Sequence, residues 1–274
     1  MDDSFSLLGI DRELCHEVRE SGTATEVKHF VFEDLLDTSE KLVCYSKDLG
    51  EFYAYNYVLT KEKSSFFSRR TEKELGCYLG YKRGSIYTFE DFNFKINSFD
   101  EFTLLTEAVE VTTGNSFYFE LCNLCQLPEK LTGELDVALS IYSQNIRKIP
   151  PLTHFDQIAD ENKELLKLVL KGNSKAKEKL EAEVGELETK RLIEEFKSKP
   201  EELFDTCILY FGNSYTVIGI TTTVNRVNLQ DKELTQIDLF SEELELTVLT
   251  PQSLALSEGE RVQLNGKMFG IAVV

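Results

Sequence analysis

Residues 215–229 read YTVIGITTTVNRVNL, a run of valine, isoleucine and threonine between Tyr215 and Leu229, interrupted only by Gly219, Asn225, Arg226 and Asn228. β-Branched side chains lose rotamer freedom in a helix and pack well on a pleated surface, so the run predicts a strand. TQIDLF at 235–240 follows within a few residues, and the pair predicts a hairpin turning at Asp231-Lys232. LELTVLT (244–250) supplies a third arm. LSEGERVQLNGKMFGIAVV (256–274) reads as a turn at Gly259, a strand, a bend at Gly266 and a final strand. With CILYF in front, about five strands fall within the 68 residues from Cys207 to the end. Short strands, a glycine inside one of them and the late G-E-R-V-x-x-N-G predict a small closed antiparallel β-barrel of the OB type. An up-and-down sandwich would give a similar string.

Upstream, the texture is charged and helical between 153 and 203. Ile158, Leu165, Leu168 and Val169 share one face, Gly172-Asn173 supplies a stop with Ser174 as the next N-cap, and Gly185 offers a second break. Pro200 suits the first turn of a last short helix, PEELFDT. No heptad survives across the glycines, so two or three tightly joined helices are expected rather than a coiled coil.

Residues 1–152 read as a mixed α/β unit. SLLGIDRELCHEVRES (6–21) predicts a first helix through Leu7, Leu8, Leu14 and Val18. EVKHFVFEDLL, KLVCYSKDLGEFYAYNYVLT and ELGCYLGYKRGSIYTFEDFNFKI predict strands. Phe52, Ala54 and Tyr57 do not share one alternating face, which predicts a bulge or a strand buried on both sides. SFDEFTLLTEAVEV, with Ser98 three residues before Glu101, predicts a capped helix. NSFYFEL predicts a strand, and ELDVALSIYSQNIRKIPPL a strand, a turn at Gln144-Asn145 and a second strand. The expected layout is α+β: an N-terminal mixed α/β domain (1–152), a helical connector (153–203) and a C-terminal OB-like barrel (204–274).

Composition narrows the function. The chain has 274 residues, a formal charge of −18 and 48 acidic against 30 basic residues. Such acidity disfavours contact with nucleic acid or anionic lipid, since phosphate binding depends on clustered lysine and arginine. The opening MDDSFSLLGIDRE is acidic where a secretory leader is basic, and no apolar run reaches the length of a membrane helix. Six cysteines, most inside apolar stretches such as KLVCYS and TCILYF, read as buried reduced thiols of a cytoplasmic protein.

FSLLGID, GNSFYFELCNL, VALSIYSQNIRKIPPL, KGNSKAKEKL, ELFDTCILYFGNSYTVIGITTTV and EGERVQLNGKMFGI occur in this order along nearly the whole chain. In that order the chain resembles the DUF3881 family of bacterial proteins, found mainly in clostridia and their relatives. The stretches are mostly hydrophobic pattern. The resemblance implies a layout and a cytoplasmic bacterial setting, and carries over no functional residue.

Local chemistry is sparse. KEKSSFFSRR (61–70) opens a basic island in which seven basic residues face three acidic ones up to Arg83. Lysines and arginines interleaved with aromatics bind single-stranded nucleic acid by stacking and phosphate contact. A solvated hairpin connection fits the same residues, with Lys61, Lys63, Phe66, Phe67, Arg69 and Arg70 then available as a protein contact. Cys122-Asn123-Leu124-Cys125 is a CxxC, but zinc needs two further ligands, and His16, His29 and His154 are scattered. No thioredoxin-like pattern surrounds it. The nucleophile-elbow, dinucleotide and phosphate-loop signatures are missing, as is a calcium loop. No catalytic residue, metal or cofactor is therefore expected. The Glu- and Lys-rich helical face reads as solvated, or as a docking surface for a partner helix. The expectation is a non-enzymatic adaptor or assembly component that contacts other proteins. Single-stranded nucleic-acid binding through the barrel and the Lys61–Arg83 island is the alternative.

Overall fold

A computed structural model describes residues 3–61, 71–96, 98–152 and 159–274. The described chain is α+β. Along it run α1 (Ser4–Leu8), α2 (Glu13–Ser21), β1 (Thr23–Glu26), β2 (Glu40–Asp48), β3 (Phe52–Lys61), β4 (Thr71–Tyr81), β5 (Ser85–Phe94), β6 (Leu105–Glu110), β7 (Ser116–Leu121) and β8 (Leu135–Lys148). The helices α3 (Asp160–Leu170), α4 (Ser174–Val184) and α5 (Glu186–Ser198) follow, then β9 (Cys207–Phe211), β10 (Ser214–Leu229), β11 (Lys232–Ser241), β12 (Leu244–Thr250) and β13 (Arg261–Ala272).

Strands β1 to β4 form a four-stranded antiparallel meander. Its β3 is buried on both faces, at Ala54, Tyr55, Tyr57 and Val58, and its register with β4 slips between Tyr57 and Val58. The broken alternation of the sequence thus reflects both devices it predicted. One face of the meander takes α2. The other meets the second sheet, where the Tyr57 hydroxyl donates to the Cys122 carbonyl (2.9 Å) and the Tyr142 hydroxyl donates to the Leu79 carbonyl (3.0 Å).

The second sheet has nine strands and two closed circuits of pairing. In the first, β5, β6 and β7 run as an antiparallel meander, β7 pairs parallel with β13, β13 pairs antiparallel with β8, and β8 returns to β5. In the second, β10, β11 and β12 form the meander, β12 pairs parallel with β8, and β8 leads through β13 back to β10. The two circuits share the β8–β13 ribbon and exchange its strands' roles. Length makes this workable: β8 spans 14 residues and β13 spans 12, so each has room for two partners along one edge. Val137–Lys148 pairs with Val262–Ala272, with a slip between Asn265 and Lys267. Gly266 sits in that slip because a Cβ there would lie 2.6 Å from Ile141 Cγ2 and from the Tyr142 carbonyl oxygen.

The core follows the ribbon. One apolar cluster runs from Phe5 to Ala272 and joins residues of the expected 1–152 and 204–274 units. Tyr142 and Phe269 stack within it, centroids 4.6 Å apart, and each contributes about 2–3 kcal/mol of burial. A smaller cluster gathers Leu166, Leu180, Leu192 and Phe196 from the three helices against Ile149, Phe204, Cys207 and Ile218. No helix among the described residues is long and apolar enough to cross a membrane.

Several local expectations are corrected. The N-terminal helix is two, broken at Gly9 in the left-handed region (φ 60°). EVKHFVFEDLL is irregular around a 3-10 turn at Phe30–Phe32. The expected helix over SFDEFTLLTEAVEV is a turn followed by β6. Ser98 does accept from the Glu101 amide (3.3 Å), but burial of Thr106, Ala108 and Glu110 on one face imposes a period of two. Gln144-Asn145 lies inside the continuous β8 and makes no chain reversal, but a bulge falls beside it, where Ser143 and Gln144 stand opposite the single residue Gly266. Asn173, not Ser174, caps α4, accepting from the Ala176 amide (3.0 Å). The Asp231-Lys232 hairpin turns instead at Gln230-Asp231, with Leu229 facing Lys232. Residues 204–274 do not close a circuit alone, because β8 is needed between β12 and β13.

Candidate functional site

Across the middle of the ribbon, four strands present one face to solvent. Register places Leu209, Thr216, Asn265 and Asn145 in a row across β9, β10, β13 and β8, and Phe211, Ser214 and Lys267 in the next row. Helices α3 and α5 stand over this floor. Leu192 and Phe196 of α5 turn into the helical cluster, and Ile193 and Lys197, each one residue on, turn toward the floor. Val169 and Leu170 of α3 complete the roof. Between floor and roof lies a cleft of about 620 Å³, within the usual range for ligand sites.

The rim is aromatic. The β9–β10 connection turns through Gly212 (φ 56°), which leaves Phe211 at the tip with 91% of its surface exposed. Tyr210 beside it packs on Tyr118 (5.5 Å) and Tyr215 (5.6 Å). The Tyr215 hydroxyl accepts from the Tyr118 amide (2.9 Å), the Tyr118 hydroxyl donates to Glu107 Oε1 (2.6 Å), and Glu107 Oε2 pairs with Lys95 (3.0 Å). Tyr118 and Tyr215 are therefore fixed by hydrogen bonds at their polar ends, and Tyr210 and Tyr215 border the cleft. On the floor, the Thr216 hydroxyl donates to Asn265 Oδ1 (2.7 Å).

Charge in the cleft is opposite to that of the chain. Its described lining residues include Lys197 and Lys267 and no carboxylate, histidine or thiol. Glu120, on β7 beside this region, is half-buried and accepts from Asn213 Nδ2 (2.9 Å). Burial pushes its carboxyl up to about 7, against the opposing pull of Lys267 and of the Asn213 hydrogen bond. A carboxyl titrating near neutrality is a common mark of a functional site. Glu120 is nonetheless not among the cleft's lining residues, so its proton is not presented to a bound molecule.

The residues singled out by sequence lie elsewhere. Lys61 ends β3 and pairs with Glu40 (3.1 Å) and Asp37 (3.7 Å). Lys63, Phe66, Phe67, Arg69 and Arg70 fall outside the described residues, as does His154. Lys61 faces Thr71 at the end of the antiparallel β3–β4 pair. The island's other described cations are each met by a carboxylate: Lys73 by Asp100 (2.7 Å), Lys82 by Asp48 (2.6 Å) and Arg83 by Glu51 (2.8 Å).

The CxxC is a structural joint. Cys122 and Cys125 are buried and unpaired, like the other four cysteines except that Cys77 is half-buried. Burial raises the Cys122 thiol well above its ordinary value and holds it protonated. Between them, Asn123 ties the segment to the end of β13, donating to the Ala272 carbonyl (2.9 Å) and accepting from the Ala272 amide (2.8 Å). No group of three or more His, Cys, Asp or Glu side chains among the described residues is placed to hold a metal ion.

No single stretch announced the cleft, because its described lining comes from seven elements spread between residues 7 and 267. The one visible signal was the bend at Gly266 in QLNGK, which does not mark its neighbours across the strands. Comparison with protein-family models, with curated proteins and with solved structures finds no match to the chain.

Proposed function

We propose that this protein is a non-enzymatic protein–protein interaction component, an adaptor or assembly part, that engages a partner through the aromatic rim of the cleft. The observation that carries the reading is Phe211, nine-tenths exposed at a hairpin tip and next to Tyr210, whose ring packs on the hydrogen-bonded Tyr215. Rigid aromatic side chains lose little conformational entropy on contact and dominate the energetics of interfaces. A cytoplasmic bacterial setting agrees with six cysteines that are all unpaired. The first strand circuit follows the pairing order of a five-stranded OB-type barrel, a meander (β5, β6, β7) whose third strand runs parallel to the last, β13. In the second circuit the third meander strand, β12, runs parallel to β8, which precedes the meander, so the C-terminal half supports an OB-like reading only in permuted order, with β8 supplying the strand that 204–274 lacks.

Single-stranded nucleic-acid binding draws less support. Lys61, Lys73, Lys82 and Arg83 are each already met by a carboxylate, and a polyanion would have to displace those partners. Size-exclusion chromatography and pull-down from native lysate test the adaptor reading. A tagged chain is expected to co-elute with a defined partner, and Phe211→Ser to lose it. Elution of the wild-type chain alone, as a 31.4 kDa monomer, would count against it.

A further inference from the structure

The turn that carries Phe211 is tied down through Asn213. Its carbonyl accepts from the Met268 amide of β13 (3.0 Å), and its side-chain amide donates to Glu120 Oε1 of β7 (2.9 Å). The first bond joins backbone to backbone and has no titrating member. The second ends on a carboxyl. Asn213 stands two residues from Phe211, and Gly212 between them takes the left-handed conformation (φ 56°) that reverses the chain. What grips Asn213 therefore sets how firmly the aromatic tip is presented.

Glu120 is poorly furnished for a charge. Among the described residues its side chain takes that one hydrogen bond. Glu110, on the adjacent β6, accepts from the Thr112 amide (3.0 Å), the Thr113 amide (2.6 Å) and the Thr113 hydroxyl (2.6 Å). The groups around Glu120 are mixed. Lys267 of β13 favours its charge, and Asp3, which caps α1 and pairs with Arg12, opposes it. Tyr78 of β4 and Cys122, two residues on, are kept neutral by burial. Tyr118, two residues earlier on β7, gives its hydroxyl to Glu107. Burial outweighs the pulls of Lys267 and Asn213 and brings the Glu120 carboxyl to about 7, whereas the Thr113 and Thr112 bonds overcome burial and lower that of Glu110.

We infer that Glu120 is a proton-operated latch on the β9–β10 turn: as the carboxylate it grips the Asn213 amide and steadies Phe211, and on taking a proton it lets the tip move. A hydrogen bond to a carboxylate is about twice as strong as one to a neutral acceptor, so protonation weakens the one side-chain tie of the turn to β7. A group titrating near 7 is about nine-tenths protonated at pH 6 and about nine-tenths charged at pH 8. Because the pKa stands above its ordinary 4.5, the folded chain keeps between those values a proton that the unfolded chain has shed. Glu120 therefore lowers stability as pH rises through that window, and removing its charge is not expected to unfold the chain. The consequence for a partner rests on the adaptor reading: a steadied rim loses less entropy on contact, so capture should strengthen above neutrality. The latch itself is independent of any partner.

The chain has no tryptophan, so Phe211→Trp in the full-length protein places a single emitter at the tip. Its fluorescence anisotropy reads the tip's mobility without a partner present. Anisotropy is expected to rise between pH 6 and pH 8 with a midpoint at about 7. Added to this background, Glu120→Gln is expected to hold the low-pH value throughout. Asn213→Ala, which keeps the carboxyl and removes its donor, is expected to do the same. Circular dichroism at pH 8 should show all three chains folded, with the Glu120→Gln thermal midpoint no lower than its parent's. Flat anisotropy with Glu120 and Asn213 in place would overturn the inference, as would a fall in place of the rise. So would a transition that survives Glu120→Gln, or unfolding of that variant at pH 8, which would make the carboxylate a structural support. Flat anisotropy together with partner capture at Phe211 would sink the latch and leave the adaptor reading standing; the expected transition without any partner would do the reverse.

Discussion

Arg261 offers the sharpest test of how the helical segment is held to the strands. It opens β13 and is 5% exposed. Its Nε donates to the Asp205 carbonyl (2.9 Å), Nη1 to the Pro150 carbonyl (2.7 Å), and Nη2 to the carbonyls of Glu201 (2.9 Å) and Phe204. One guanidinium therefore fastens both ends of the stretch that carries α3, α4 and α5. The Asp205 carboxylate stands 3.6 Å away and is largely exposed, so the backbone carbonyls, not an ion pair, balance the charge. Arg261→Met removes the donors and leaves four carbonyls to find water or go without. A hydrogen bond to a charged group contributes about 1.5–3 kcal/mol and an orphaned buried acceptor costs about 1–3 kcal/mol, but neighbours in one network do not add. With four acceptors in one network the loss should exceed that of a single bond and fall below the sum, about 3–5 kcal/mol in total. At roughly 2–4 °C per kcal/mol for a chain of this size, the thermal midpoint should fall by about 10 °C. Urea unfolding measures the loss, and limited proteolysis locates it: cleavage should appear first within 159–205. Arg261→Lys keeps the charge but loses the fork, and should recover less than half. A variant within about 1 kcal/mol of wild type, or one whose new cleavage sites lie outside that stretch, would refute the reasoning.

Three further outcomes are expected. His29 is 2% exposed, lies between the rings of Phe30 (4.7 Å) and Phe94 (4.8 Å), and has no hydrogen-bond partner for either ring nitrogen among the described residues. Burial lowers its pKa from 6.5 to about 4, so its contribution is complete above pH 6.5 and is lost as pH falls toward 4, by up to about 3 kcal/mol. Urea titrations at pH 7 and pH 4.5 should show that loss in the wild type and a smaller one in His29→Leu; equal losses would contradict it. Tyr57→Phe strips a hydroxyl that donates to the Cys122 carbonyl (2.9 Å) and accepts from the Cys125 amide (3.2 Å), and should cost about 1–3 kcal/mol by denaturant unfolding. Gly266→Ala forces a methyl to within 2.6 Å of the Tyr142 carbonyl oxygen, and should destabilise by about 1–3 kcal/mol, measured as a lower unfolding midpoint.

Local pattern carried the fold as far as its elements. The valine, isoleucine and threonine run at 215–229 made β10, and the glycines at 172 and 185 ended helices where expected. Where a local signal competed with tertiary burial, burial prevailed: the Ser98 cap is real, yet the residues after it alternate in and out of a sheet. Closure of the strand circuits was beyond reach. β8 meets β12 and β13 more than 100 residues later, and nothing in VALSIYSQN marks a strand with two sets of partners. The basic island was legible as charge, but the carboxylates that meet it sit on other strands and loops, at Glu40, Asp48, Glu51 and Asp100. Cleft residues such as Thr216, Asn265 and Ile193 are ordinary members of strands and a helix. Only register and helix placement bring them together.

Contact through the aromatic rim is most directly read by a photo-crosslinker. Benzoylphenylalanine in place of Phe211 should join the chain, in the cell, to one discrete protein. The same group in place of Leu187, an equally exposed apolar residue on α5 (85%), should not. Crosslinks identical at the two positions, or none at Phe211, would contradict a partner docked at the rim.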